Sequence, residues 1–128
     1  MRETVARLAR DAHDVKGRLC LGDFYRLNGF DDLYVYDVPV EGELGSFAEY
    51  PGEPIPRSMF YASLIAEPGV PREDRAYALY RAIQCYAPSG YSSCGGEEVP
   101  EAQRAAWFRR LKGEFGQTRW GREAEYYW

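Results

Sequence analysis

The chain is short of lysine, histidine and cysteine, and it has no long apolar run. Each shortage excludes something. Its three cysteines, Cys20, Cys85 and Cys94, are too few and too widely spaced for a zinc site built from paired Cys-x-x-Cys motifs. Gly95-Gly96-Glu97-Glu98 lacks the spacing and the lysine of a phosphate-cradling loop, and no EF-hand pattern occurs. Neither a metal nor a cofactor is expected. No stretch approaches the ~20 apolar residues that cross a bilayer, so no direct membrane span is expected. The start, Met1-Arg2-Glu3-Thr4, runs into alternating charges rather than a signal-peptide core. A net charge of −4 argues against a broad electrostatic grip on nucleic acid.

What is present fits a globular protein: 45% hydrophobic, 28% charged and 16% aromatic residues in 128. That length supports one core, so residues 1–128 read as a single domain, or as the C-terminal part of a larger protein. Positive charge is carried by fourteen arginines against two lysines, Lys16 and Lys112. The arginines are spread from Arg2 to Arg122 among acids, as on a solvated helical surface; a bidentate anion-binding surface would need them clustered.

Spacing predicts a mostly α fold of five or six helices joined as hairpins. Val5, Leu8, Ala9 and Ala12 form a first apolar stripe, Asp14 caps a second helix, and Asn28-Gly29 stops it. Cys20, between Leu19 and Leu21, reads as a small buried residue. Residues 31–57 change character. Residues 33–40 alternate as a short strand would, though a buried extended connection fits as well. Six glycines and prolines between Gly42 and Pro56 exclude a long helix there and leave a long irregular segment. Helical character returns at Pro56 with Met59, Phe60, Ser63 and Leu64 and ends at Pro68-Gly69. Pro71 opens the most apolar helix, with Ala76, Tyr77, Leu79, Tyr80 and Ile83. Pro100 opens another, with Ala105, Phe108, Leu111 and Phe115; Thr118 then caps a last short helix reaching Tyr127. Cys85 and Cys94 flank a Pro/Ser/Gly-rich loop. They pair as a disulfide if the chain is exported, and stay free thiols if it is cytosolic.

Little in the chain suggests catalysis. His13, the only histidine, lies near Asp11 and Asp14, seven residues from Cys20. The two share a helix face only if the helix is unbroken at residues 14–17. Adjacent acids at Asp31-Asp32, Glu73-Asp74 and Glu97-Glu98 read as solvated or capping groups rather than an acid–base pair. Trp107-Phe108-Arg109-Arg110 superficially suggests base stacking, but helical spacing puts its aromatics in the core and its arginines outside.

Two stretches resemble tetratricopeptide repeats. Leu21-Gly22-Asp23-Phe24-Tyr25 matches the Leu-Gly-x-x-Tyr of a first repeat helix. Leu79, Ala82, Ile83, Cys85-Tyr86 and Gly90 keep the same spacing, with Ile83 where a small residue is usual. The stretch from Ala106 to Trp120 is similar to the phrase joining repeats in periplasmic tetratricopeptide proteins of Gram-negative bacteria, such as outer-membrane assembly lipoproteins and the Tol–Pal coordinator. Gly116 stands there in place of proline. The likeness covers about half the chain, residues 15–29 and 71–128. It implies antiparallel helical hairpins stacked as a short solenoid, and a non-enzymatic scaffold that binds a protein or peptide in a groove. The groove residues it implies are Tyr25, Arg26 and Arg81. Tyr34, Tyr36, Phe47 and Tyr50 either cover the groove, contact a partner, or simply pack over the helices. It also implies the periplasm or cell envelope, which requires this sequence to be a piece of a longer or trimmed protein. The alternatives are a small enzyme using a Cys94 thiolate, and a cytosolic adaptor or inhibitor of one partner.

Overall fold

The segment Arg72–Gln84 forms the helix around which the chain closes. In a computed structural model, which describes residues 1–30 and 55–128, six helices follow in order. They are α1 (Arg2–Arg10), α2 (Val15–Asn28), α3 (Arg57–Ala66), α4 (Arg72–Gln84), α5 (Glu101–Phe115) and α6 (Arg119–Glu123). The described residues contain no strand. The strand expected at 33–40, and Tyr34, Tyr36, Phe47 and Tyr50, lie outside the described residues.

Helix boundaries follow local chemistry. Pro56, Pro71 and Pro100 stand immediately before α3, α4 and α5, where a missing N–H leaves no helical bond unmade. The Asp14 carboxylate accepts from the Gly17 amide at the start of α2, and the Thr118 hydroxyl accepts from Gly121 at 3.1 Å in α6. Gly29 ends α2 at φ 68°, a left-handed turn that costs glycine nothing.

Helix α4 is buried on most of its surface. Ala76, Ala78 and Leu79 are fully covered, Tyr77, Ala82 and Ile83 nearly so, and only Arg72 and Glu73 are exposed. Its alanines let neighbours come close. Helices α3 and α5 pack on it most extensively, and α2 and α6 touch it as well. Tyr61 and Leu64 of α3 and Leu111 and Phe115 of α5 complete the core. Each such large side chain contributes about 1.5–3 kcal/mol relative to leaving it exposed. Close approach recurs between α2 and α3, where a Cβ at Gly22 would lie 3.3 Å from the Tyr61 hydroxyl.

Several expectations are corrected. The α1 stripe is not Val5, Leu8, Ala9 and Ala12: Val5 is 56% exposed, Ala9 and Ala12 are exposed, and Leu8 is half-buried. The buried residue is Thr4, whose hydroxyl lies 3.2 Å from the Cys20 sulfur. Among the described helices α1 packs substantially on α2 alone, and one neighbour covers only a narrow face. Cys20 is likewise exposed, because α2 turns Leu19 and Gly22 inward instead. Met59 is exposed, and α3 buries Phe60, Tyr61, Leu64 and Ile65. The last helix stops at Glu123, well before Tyr127. Lys112 Nζ donates to the carbonyls of Gly121 (2.8 Å) and Ala124 (2.9 Å), satisfying acceptors that another helical turn would use.

Not all arginines are solvated. Arg18 and Arg57 are buried. Arg18 reaches from α2 to the far end of α3, donating to Ser63 Oγ (3.0 Å) and the His13 carbonyl (2.7 Å) and pairing with Glu67 at 2.7 Å. A buried guanidinium persists only with such partners.

Two glycines give opposite predictions. Gly113 in α5 has open space where a Cβ would go, so Gly113→Ala should raise stability by about 0.5–1 kcal/mol. A Cβ on Gly121 in α6 would overlap the Phe115 carbonyl, so Gly121→Ala should lower stability by about 1–3 kcal/mol despite alanine's helix propensity. Urea denaturation of both variants checks the pair; equal effects would contradict the packing of α6 on α5.

Candidate functional site

Helices α2, α4 and α6 line one cleft, of about 640 Å³. Lys16, Cys20 and Asp23 come from α2, Glu73, Asp74 and Tyr77 from α4, and Trp120 from α6; Glu3, Thr4 and Arg7 of α1 close one side. Residues 16, 20 and 23 recur at helical spacing, so one face of α2 looks into the cleft. Residues 73, 74 and 77 do the same for α4.

Electrostatics divide its charged groups into paired and unpaired. Arg7 donates to both oxygens of Asp14, at 3.1 and 2.9 Å. The Arg7 hydrogen bonds, with the Gly17 amide, hold the Asp14 carboxyl below its ordinary range. Lys16 Nζ meets buried Asp74 at 2.5 Å across the α2–α4 seam. Glu3 and Glu73 have no ion pair among the described residues. The cleft therefore presents carboxylates without an ion pair at its α1 and α4 edges, Glu3 lying in the field of Arg7.

A phenol anchors the centre. The Tyr77 hydroxyl donates to Asp23 Oδ1, and Arg81 Nε donates to the Tyr77 oxygen at 2.9 Å. Arg81 also lies over the Tyr77 and Tyr80 rings, at 5.0 and 5.4 Å from their centroids. Trp120 stacks at a tilt on Tyr77 (4.4 Å) and Tyr80 (5.3 Å), with Arg119 over its own ring at 4.7 Å. Burial, reinforced by the bond to Asp23 and opposed by Arg81, pushes the Tyr77 phenol up to about 12.

The residues expected from the sequence fall in different places. Arg81 does not line the cleft but is bonded to Tyr77, which does. Arg26 pairs with the cleft residue Asp23 at 3.4 Å. Tyr25 points elsewhere, packing against Phe30 (6.3 Å) and Phe60 (6.0 Å). Cys85 and Cys94 are joined by a disulfide and are buried away from the cleft, with Cα atoms 5.4 Å apart. A Cys94 thiolate therefore requires the reduced chain. His13 is exposed and faces Glu67 at 3.4 Å, and the break at residues 11–14 separates it from the α2 face that carries Cys20. Trp107 and Phe108 are half-buried against the core, while Arg109 is exposed.

Sequence reasoning missed Asp23, Tyr77, Asp74 and Trp120 as site residues. One signal was there: Asp23 occupies the first variable position of Leu21-Gly22-x-x-Tyr25, and Tyr77 and Arg81 are one helical turn apart. No group of three or more His, Cys, Asp or Glu among the described residues is placed to hold a metal ion, and no described helix is long and apolar enough to cross a membrane. Comparisons with protein-family models, with curated proteins and with solved structures yield no match.

The raised Tyr77 value makes a signed prediction. The unfolded phenol ionises near pH 10 and the folded one near 12, so over that window the unfolded chain holds fewer protons. The stability Tyr77 contributes is complete below pH 10 and is lost as pH rises through 12. Urea midpoints measured from pH 9 to 12 should fall more steeply for the native chain than for Tyr77→Phe; parallel curves would contradict the geometry.

Proposed function

We propose that this chain is a non-enzymatic, tetratricopeptide-like binding module that captures a basic segment of another protein in the α2–α4–α6 cleft. One observation carries the reading: α2, α4 and α6 meet at a single cleft, which α1 closes on one side. Stacked hairpins present such a surface, because each unit's first helix faces the same side. The helix contacts support it further. They run between helices consecutive in the chain, and between next-but-one helices as α2 with α4 and α4 with α6. Leu21-Gly22-Asp23-Phe24-Tyr25 lies on α2, and Leu79, Ala82 and Ile83 of the second matching spacing lie on α4, with Cys85-Tyr86 and Gly90 beyond its end; α2 and α4 are helices that this arrangement makes first helices.

The partner's charge follows from the lining. Arg7 and Lys16 are already paired, whereas Glu3 and Glu73 are not, so a lysine or arginine side chain complements the cleft edges. Trp120 and Tyr77 provide aromatic surface between them. An oxidising location, such as the cell envelope, belongs to the same proposal and is supported by the Cys85–Cys94 bond.

Cys20 supplies a direct test, being exposed, outside any disulfide and on the cleft wall. A photo-crosslinker attached to Cys20 should capture a partner from the native source through a segment rich in lysine or arginine. Reversing the unpaired charges, Glu3→Lys with Glu73→Lys, should cut the captured yield about tenfold, or roughly 1.4 kcal/mol. Undiminished capture, or crosslinks to acidic segments, would overturn the proposal.

A further inference from the structure

A second cavity shares no residue with the cleft. It measures about 420 Å³ and lies among α3, the C-terminal end of α4, the middle of α5 and the loop 91–99. Met59, Ala62, Ala82, Tyr86, Val99 and Trp107 give it an apolar lining with two aromatic rings. That volume is within the range of small-molecule sites and accommodates a fused bicyclic ring with a short arm.

Its outer wall is held in place. The Cys85–Cys94 disulfide ties the loop to the end of α4. Ser58 Oγ donates to the Gly95 carbonyl at 2.7 Å, fixing the loop to the first turn of α3. The Val99 amide donates to the Tyr86 hydroxyl at 2.7 Å. Gly96, at φ 79°, lets the backbone come so near that a Cβ would sit 2.6 Å from Ser58 Oγ. A wall braced at three points keeps the cavity shaped before any ligand arrives, which lowers the cost of binding.

The charge lining the cavity has one sign, although the Arg104 guanidinium lies over the Tyr86 ring at 4.4 Å from its centroid. Among the described residues no lysine or arginine lines it, and the single charged lining residue is Glu97, which is exposed and has no ion pair there. We propose that this cavity binds a compact aromatic molecule carrying one positive charge, its ring between Met59, Tyr86 and Trp107 and its cation toward Glu97. Aromatic faces and a carboxylate together favour an organic cation over its neutral or anionic counterpart. This site is separate from the cleft, and its test is independent of any protein partner.

Three probes of similar shape separate the possible occupants: 1-naphthylmethylammonium, 1-methylnaphthalene and 1-naphthylacetate. Ligand-observed NMR titration of the oxidised chain should show the cation binding at least fivefold tighter than the anion, with the neutral probe between them. Glu97→Gln should bring cation and anion to within about twofold. Ala62→Trp, a substitution at an exposed position that fills the cavity, should abolish binding while leaving far-UV circular dichroism unchanged. If that chain loses helicity, Met59→Lys at a 56% exposed position reports instead, with a tenfold or greater loss for the cation. Equal affinity for cation and anion, or full binding by the filled variants, would overturn the proposal.

Discussion

The burial of α4 is the constraint on which the rest of the structure depends. A helix with alanine at 76, 78 and 82 and with Leu79 and Ile83 fully or almost fully covered cannot lie at a surface. It must be surrounded, and α2, α3, α5 and α6 surround it. The polar cleft and the apolar cavity then both follow. Along its N-terminal half, α4 separates α2 from α6, and the space left between those two is the polar cleft. At its C-terminal end, α4 carries the cysteine that anchors the loop closing the apolar cavity.

Charge is used sparingly inside this arrangement, and the buried charges of α2 and α4 join helices to one another. Arg18 joins α2 to α3 through Ser63 and Glu67, and Asp74 joins α4 to α2 through Lys16. Such pairs add little net stability but penalise any packing that leaves one member alone, so they select one arrangement of helices among several of similar hydrophobic merit. The network of Asp23, Tyr77 and Arg81 does the same at the cleft, with Tyr77 kept protonated by its surroundings.

Much of the fold was legible because helix ends are local events. Pro56, Pro71, Pro100, Asp14, Gly29 and Thr118 act through their own backbone chemistry, and the helices begin or end beside them. The apolar spacing of α4 was equally plain. What could not be read was which neighbour each face meets. Val5 and Cys20 look like core residues by type, yet α1 has one substantial neighbour among the described helices and leaves Val5 outside, while α2 turns Leu19 and Gly22 inward and Cys20 outward. Arg18 looks like a surface residue, yet its partners are 45 and 49 positions away. The same holds for the site: Arg81 was singled out, but Asp23 is brought to its neighbour Tyr77 only by the packing of α2 on α4, across 54 residues of sequence.

Native-state amide hydrogen exchange tests the central place of α4 most directly, because it reads the stability of each helix separately. The amides of Ala76–Ile83 should exchange only through global unfolding and be the slowest among the described helices, while those of α1, with one substantial neighbour among them, exchange first. Exchange in α4 as fast as in α1 would mean that α4 is not the buried centre, and that neither recess is built in the way described.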